Sequence, residues 1–260
     1  MAALSTILAR LDELLDPGRW ADFTPNGLHV PPADPAAREV ARVVTGVSAN
    51  EALLREAVDR DADLVLVHHG LFWRNDPLGM DLPRRRKLAL LLGRDVALAA
   101  YHLPLDAHPT HGNNALLARA IGAEGVEPAF PVAGGPIGVV ADLGPDGIAP
   151  EELRARVEAA TAPRSREAAV SLVGPERIRR VGIVSGAGAE DLRPTLELGC
   201  DAFVTGEAPE RAMHVAIEHG LHFLAMGHHD TERLGVRALG SLLHDELGVE
   251  HEFVDVPNPL

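Results

Sequence analysis

Short apolar runs alternate along the chain with stretches whose apolar positions recur at helical spacing. Leu4, Ile7, Leu8, Leu11, Leu14 and Leu15 fall on one helical face with Arg10, Asp12 and Glu13 between them, which predicts an amphipathic surface helix over 1–15 and not a signal peptide. Strands are predicted near 40–47, 64–67, 96–101, 137–143, 169–173, 181–184, 202–205, 222–226 and 252–256. Helices are predicted between them, near 51–60, 85–93, 115–121, 150–160, 189–198, 210–219 and 232–246. Alternation of this kind predicts an α/β fold: two interconnected α/β domains with mixed, largely parallel sheets.

Local chemistry marks several boundaries. Asn113 or Asn114 can cap the helix that Gly122 ends, Asp230 or Thr231 can cap a helix starting at Glu232, and Pro150 suits a first helical turn. The proline- and glycine-rich stretch 128–136 is the expected domain boundary. It places a first domain at 1–127, with 240–260 packing back on it, and a second at 128–239 that carries a small elaboration at 137–175. Gly134, Gly135 and Gly138 lack the spacing of a nucleotide loop and read as turn residues.

The two halves also echo each other. Val47-Ser48 leads through a helical pattern to Asp63, an apolar run and His68-His69-Gly70, while Val184-Ser185 leads to Asp201, an apolar run and Thr205-Gly206-Glu207. After a further strand, each half has a histidine with a carboxylate four residues on: His102 with Asp106, and His228 with Glu232. An internal duplication is the expectation, with shared α/β grammar as its alternative.

Composition narrows the function classes. With 260 residues and 46% hydrophobic content the chain can bury a substantial core, and nothing in it reads as disordered. A formal charge of −14 argues against a nucleic-acid partner, and the one dense basic run, Arg84-Arg85-Arg86-Lys87, reads as a solvated helix start. The single cysteine, Cys200, cannot form an intramolecular disulfide and reads as a buried structural thiol. No apolar run approaches the ~20 residues of a membrane span, so no membrane partner and a cytoplasmic location are expected.

The chemistry gathers at predicted strand ends. Adjacent histidines inside a strand face opposite sides, but at the carboxyl end of 64–67, with Gly70 turning the chain, His68 and His69 can both reach the crevice where open α/β sheets bind ligands. The alternative for an isolated pair is one buried and one exposed histidine. Pro104 argues against a helix between His102 and Asp106, so that pair is expected in a loop, with His102 a ligand, a partner of a ligand or a base. Glu232 is expected in a first helical turn, and His229 exposed. His108 and His111 are expected to be loop residues. Imidazoles mixed with carboxylates suit Zn²⁺, Mn²⁺, Fe²⁺ or Ni²⁺ and are too nitrogen-rich for calcium, and five ligands exceed one tetrahedral zinc, favouring two divalent cations.

The segments Asn26-Gly-Leu-His-Val30, His68-His-Gly-Leu-Phe-Trp73, His102-Leu-Pro-Leu-Asp106, Gly112-Asn-Asn114, Thr205-Gly-Glu207 and Gly227-His228 through Thr231-Glu232 to Gly235 make the chain resemble the Nif-three-like family, the GTP cyclohydrolase 1 type 2 homologs. The resemblance implies that His68, His69, Asp106, His228 and Glu232 bind a dinuclear metal centre, and that the chain forms a ring-shaped homohexamer. It departs from the family pattern at Ser48 to Asn50, where an aspartate-containing turn is expected. The function expected from these readings is a metal-dependent hydrolase acting on a small molecule, with a nucleotide such as GTP as the family's suggestion; His102 would shuttle a proton and Glu207 would orient substrate or water. The alternative is a non-enzymatic metal-binding or regulatory scaffold.

Overall fold

The computed structural model describes residues 1–162 and 169–258, which divide into two compact units. One comprises Met1–Leu105 with Gly235–Val256; the other is built on Asp106–Leu234.

The first unit is organised on a five-stranded sheet whose strands lie in the spatial order Glu250–Phe253, Arg42–Ser48, Leu64–His69, Ala97–Ala100 and Gly27–Val30. The first four are parallel and the last is antiparallel to its neighbour. The Leu64–His69 strand shows why a continuous apolar run is needed at the centre of such a sheet. Leu64 and Leu66 pack on one face with Leu4, Ile7 and Leu11 of the Leu4–Leu15 helix and with Val236, Leu239 and Leu243 of the Arg233–Leu247 helix. Val65 and Val67 pack on the other face with Leu53, Leu54 and Ala57 of the Glu51–Asp59 helix and Leu91 of the Leu82–Gly93 helix. Those last two helices are capped by side chains: Asn50 accepts from Leu53 N at 2.8 Å and Asp81 from Arg84 N at 2.8 Å.

The second unit carries a six-stranded sheet in the order Gly125–Val132, Gly135–Asp142, Arg180–Val184, Ala202–Thr205, His222–Ala225 and Ala169–Ser171. Its three central strands after the hairpin are parallel, with antiparallel strands on either side. The stretch expected to be a boundary, 128–136, instead forms the end of a β-hairpin, with Gly134 and Gly135 at φ +127° and +143° making its turn. Pro128 and Pro131 lie on the edge strand, where a missing amide hydrogen breaks no interior ladder.

Each sheet contains the same four-stranded module, three parallel strands flanked by an antiparallel one: Arg42–Ser48, Leu64–His69, Ala97–Ala100 with Gly27–Val30, and Arg180–Val184, Ala202–Thr205, His222–Ala225 with Ala169–Ser171. The echo extends to side chains. Asp63 accepts from the amides of Ala41 and Arg42 at 2.7 and 3.0 Å, and Asp201 accepts from Arg179 and Arg180 at 2.8 and 3.1 Å. Each aspartate thereby pins the start of one parallel strand to the start of the next. Cys200, just before this pin, is buried, and desolvation pushes its thiol up to about 11. Among the described residues no helix is long and apolar enough to cross a membrane.

Candidate metal centre

In the first unit the Leu64–His69 strand delivers both histidines at its carboxyl end, His68 fully buried and His69 half-buried, with ring centroids 4.6 Å apart. The turn that follows requires glycine: a Cβ on Gly70 would lie 2.1 Å from the His29 ring and 2.9 Å from the Ala100 Cβ. His68 donates Nδ1–H to the Tyr101 carbonyl at 2.9 Å, and His69 Nδ1 hydrogen-bonds Ser48 Oγ at 3.0 Å. His102 donates Nδ1–H to Asp22 Oδ1 at 2.7 Å, while its own amide donates to Asn26 Oδ1 at 2.8 Å. Its ring lies 5.0 Å from that of His68 and 5.5 Å from that of His69, with the Trp73 indole edge-on at 5.2 Å. His68, His69 and His102 bring ligand nitrogens within 4.8 Å of one another.

Asp22 anchors this group. Burial opposes its charge, but the His102 ring, the Asn26 amide at 3.0 Å and the Leu103 amide at 3.0 Å outweigh it and hold the carboxyl at about 2. Leu103–Asp106 is a single helical turn, not the open loop expected, with Leu105 N donating to His102 O at 2.8 Å. Pro104 is accommodated because it sits at the start of that turn, where its amide hydrogen would have had no intrahelical partner.

In the second unit Asp106 accepts from Asn113 Nδ2 at 2.8 Å and Ser185 Oγ at 3.2 Å. Gly112, not an asparagine, occupies the N-cap of the Asn113–Ala120 helix. Both asparagines turn inward instead: Asn114 donates to the carbonyls of Asp106 and Ile137 and accepts from Ser185 N at 2.7 Å. His228 opens a short helix, His228–Thr231, after Gly227 at φ +97°, and Glu232 sits at the join with the next helix instead of inside its first turn. His229 is buried, contrary to expectation. Thr231 accepts from Gly186 N at 3.0 Å, so its hydroxyl fastens a neighbouring strand end. His108 and His111 lie in the loop before Gly112, on either side of Thr110, whose hydroxyl reaches both rings.

His228 stands between two carboxylates, donating Nδ1–H to Glu207 Oε1 at 2.6 Å and facing Glu232 Oε1 with Nε2 at 3.2 Å. Burial alone would depress its pKa, but Glu232 and then Glu207 reverse the sign and raise it to about 9. Gly186 makes room for this arrangement. It holds φ +64°, and a Cβ there would lie 2.2 Å from Glu232 Oε1 and 3.1 Å from His228 Nε2.

These residues fit divalent metals on the chemistry of the donors. Imidazole nitrogens with carboxylate oxygens form a set for zinc or a first-row transition metal. Each of His68, His69, His102 and His228 is held through Nδ1 by a carbonyl, a hydroxyl or a carboxylate, so each presents Nε2, the arrangement that orients metal-ligating histidines. Of these anchors, Asp22, Ser48 and the Tyr101 carbonyl were not anticipated from sequence. The motif containing Asn26 was the one local signal, since Asn26 holds both Asp22 and the His102 backbone.

A family model described as Duf34/NIF3 (NGG1p interacting factor 3) matches residues 2–259. A relative from Pseudomonas aeruginosa, named GTP cyclohydrolase 1 type 2 homolog, is 42% identical over 259 residues, covering 99% of this chain and 98% of that one. Among solved structures, protein ybgI, described as of unknown function, superposes with a TM-score of 0.88 at 37% identity over 100% of both chains. TTHA1606 from Thermus thermophilus does so with a TM-score of 0.85 at 32% identity, over 98% of this chain and 99% of that one. The chain therefore belongs to the Duf34/NIF3 family, with the fold and the histidine and carboxylate clusters described above.

Proposed function

We propose that this protein is a metal-dependent hydrolase of a small molecule, with His68, His69, Asp106, His228 and Glu232 as ligands of two divalent cations. The observation that carries the reading is that His68, His69 and His102 bring ligand nitrogens within 4.8 Å of one another while each is anchored through Nδ1, the arrangement that orients metal-ligating histidines, and that His228 is anchored in the same way. Bound divalent cations supply Lewis acidity and a nucleophilic water near neutral pH.

The chain's own residues do the rest. Glu207 fixes the His228 ring, and Asn113 with Ser185 fixes the Asp106 carboxylate. Asp22 fixes His102 so that Nε2 faces the same group of imidazoles, where it can hold or pass a proton. Trp73 walls that group with the edge of its indole. The name borne by the relatives makes GTP the first substrate to test.

Purified protein is expected to hold close to two divalent cations per chain by elemental analysis, and His68→Ala and His228→Ala are each expected to remove at least one. With the sites filled, GTP is expected to be converted to a ring-opened product detectable by ultraviolet absorbance. Metal content unaffected by both substitutions would overturn the ligand assignment; no turnover of GTP at full occupancy would overturn the cyclohydrolase substrate and leave the metal-binding role.

A further inference from the structure

We infer that the first unit carries a separate binding pocket for a planar ring bearing an anionic group, of the size of a purine nucleotide, and that this pocket positions the substrate of the hydrolase proposed above. The pocket holds about 400 Å³ and is lined among others by Pro17, Trp20, Asp22, Pro25, Asn26 and Arg74. That volume is in the range of small-molecule sites.

The walls specify the ligand class. Trp20 offers an aromatic face, and Pro17 and Pro25 are rigid apolar surfaces that lose little freedom on packing against a flat ring. Arg74 supplies positive charge. Its guanidinium donates to the Asp22 backbone carbonyl and lies 5.7 Å from the Phe23 ring, and among the described residues no carboxylate is paired with it. Arg19 lies outside the lining, over the Trp20 ring at 5.8 Å, and adds positive charge near it. The Asp22 carboxylate is ionised but turned inward, its oxygens accepting from His102, Asn26, Leu103 and Phe23 and its side chain only 3% exposed, so the anionic group is assigned to the Arg74 end of the pocket.

Two segments tie the pocket to the imidazoles. Asp22 and Asn26 line the pocket and also hold His102, one through its ring and the other through its amide. Arg74 lines the pocket while its neighbour Trp73 abuts the rings of His69 and His102. Pocket and histidine group thus share Asp22 and Asn26, and a ligand anchored at Trp20 and Arg74 lies against the segments that hold His102 and Trp73. The inference rests on the hydrolase reading for its purpose but not for its test.

Calorimetric titration with GMP, guanosine and inorganic phosphate, on the metal-loaded protein and again after chelation, separates the two. GMP is expected to bind in both states, at least 10-fold more tightly than guanosine or phosphate. Trp20→Ala and Arg74→Ala are each expected to weaken it about 10-fold, near 1.4 kcal/mol, with metal content and melting temperature unchanged, and Trp20→Phe is expected to retain most of the affinity. GMP binding no tighter than phosphate, binding unmoved by either substitution, or binding that vanishes on chelation would each overturn the pocket. A failure of the hydrolase reading appears instead as absent turnover with GMP binding intact.

Discussion

At the scale of single residues, the roles of the ionisable groups follow from what surrounds them. Asp22 has a folded-state pKa of about 2 against an ordinary 3.8, so its stabilising effect is fully present above pH 4 and is lost as pH falls through 2. The difference corresponds to roughly 2 kcal/mol. Asp22→Asn is therefore expected to lower stability by about that amount at pH 7, with the gap to the unsubstituted protein shrinking towards pH 2 in urea melts; a gap independent of pH would contradict the assignment. His228 behaves oppositely. Its pKa, raised from 6.5 to about 9, makes the charged ring stabilising below 6.5, with the effect lost as pH rises through 9. A metal at Nε2 must displace that proton, so affinity is expected to rise with pH up to about 9. Calorimetry in buffers of different ionisation enthalpy is expected to detect the proton released at pH 7. Glu207→Gln is expected to reduce that release, because one of the two carboxylates that raise the pKa of the ring is gone and less of it is protonated at pH 7.

At the scale of elements, the sequence was most legible where burial and period agree. The 64–67 run is apolar on both faces because both faces are covered, whereas the caps at Asn50 and Asp81 went unread and the asparagines expected to cap the Asn113–Ala120 helix turn inward. It was least legible where tertiary partners replace local preference. The Gly27–Val30 strand contains His29 between apolar residues and pairs antiparallel with an interior strand, so its four residues carry little periodic signal. Gly125–Val132 holds two prolines, which argue against a strand unless the strand is an edge. Five proposed ligands could be picked out at strand ends, yet the groups that aim them could not, because a carbonyl such as that of Tyr101 carries no mark in sequence. Gly186 is the element-scale point of failure. Alanine there must adopt φ +64° and place its Cβ 2.2 Å from Glu232 Oε1, so Gly186→Ala is expected to cost at least ~2 kcal/mol and to deplete metal. Gly18→Ala, where a Cβ meets nothing within 4 Å, is the matched control and is expected to leave both unchanged.

At the scale of the whole molecule, charge and exposed apolar surface pull in different directions. A net charge of −14 disfavours indiscriminate association of copies, so any assembly needs a localised patch strong enough to overcome that repulsion. The first unit exposes three large apolar side chains within five residues. Leu78, Met80 and Leu82 are 107%, 62% and 66% exposed, and they immediately precede the cations Arg85, Arg86 and Lys87 on the Leu82–Gly93 helix. Apolar side chains beside a basic run make this stretch the candidate contact for a second copy, whose net charge of −14 is opposite in sign to the run. The homohexamer implied by the family resemblance would use such a patch, and light scattering is expected to give a mass of six copies of the 27.6 kDa chain. Leu78→Glu combined with Met80→Glu places two carboxylates where the apolar anchors stand and turns attraction into repulsion within each contact. Because neither side chain contributes to the core of its unit, the melting of an isolated chain should be unaffected while the assembly dissociates. A double variant that keeps the parental mass would show that these residues lie outside the interface, and a parental protein that runs as a single chain would refute the hexamer itself.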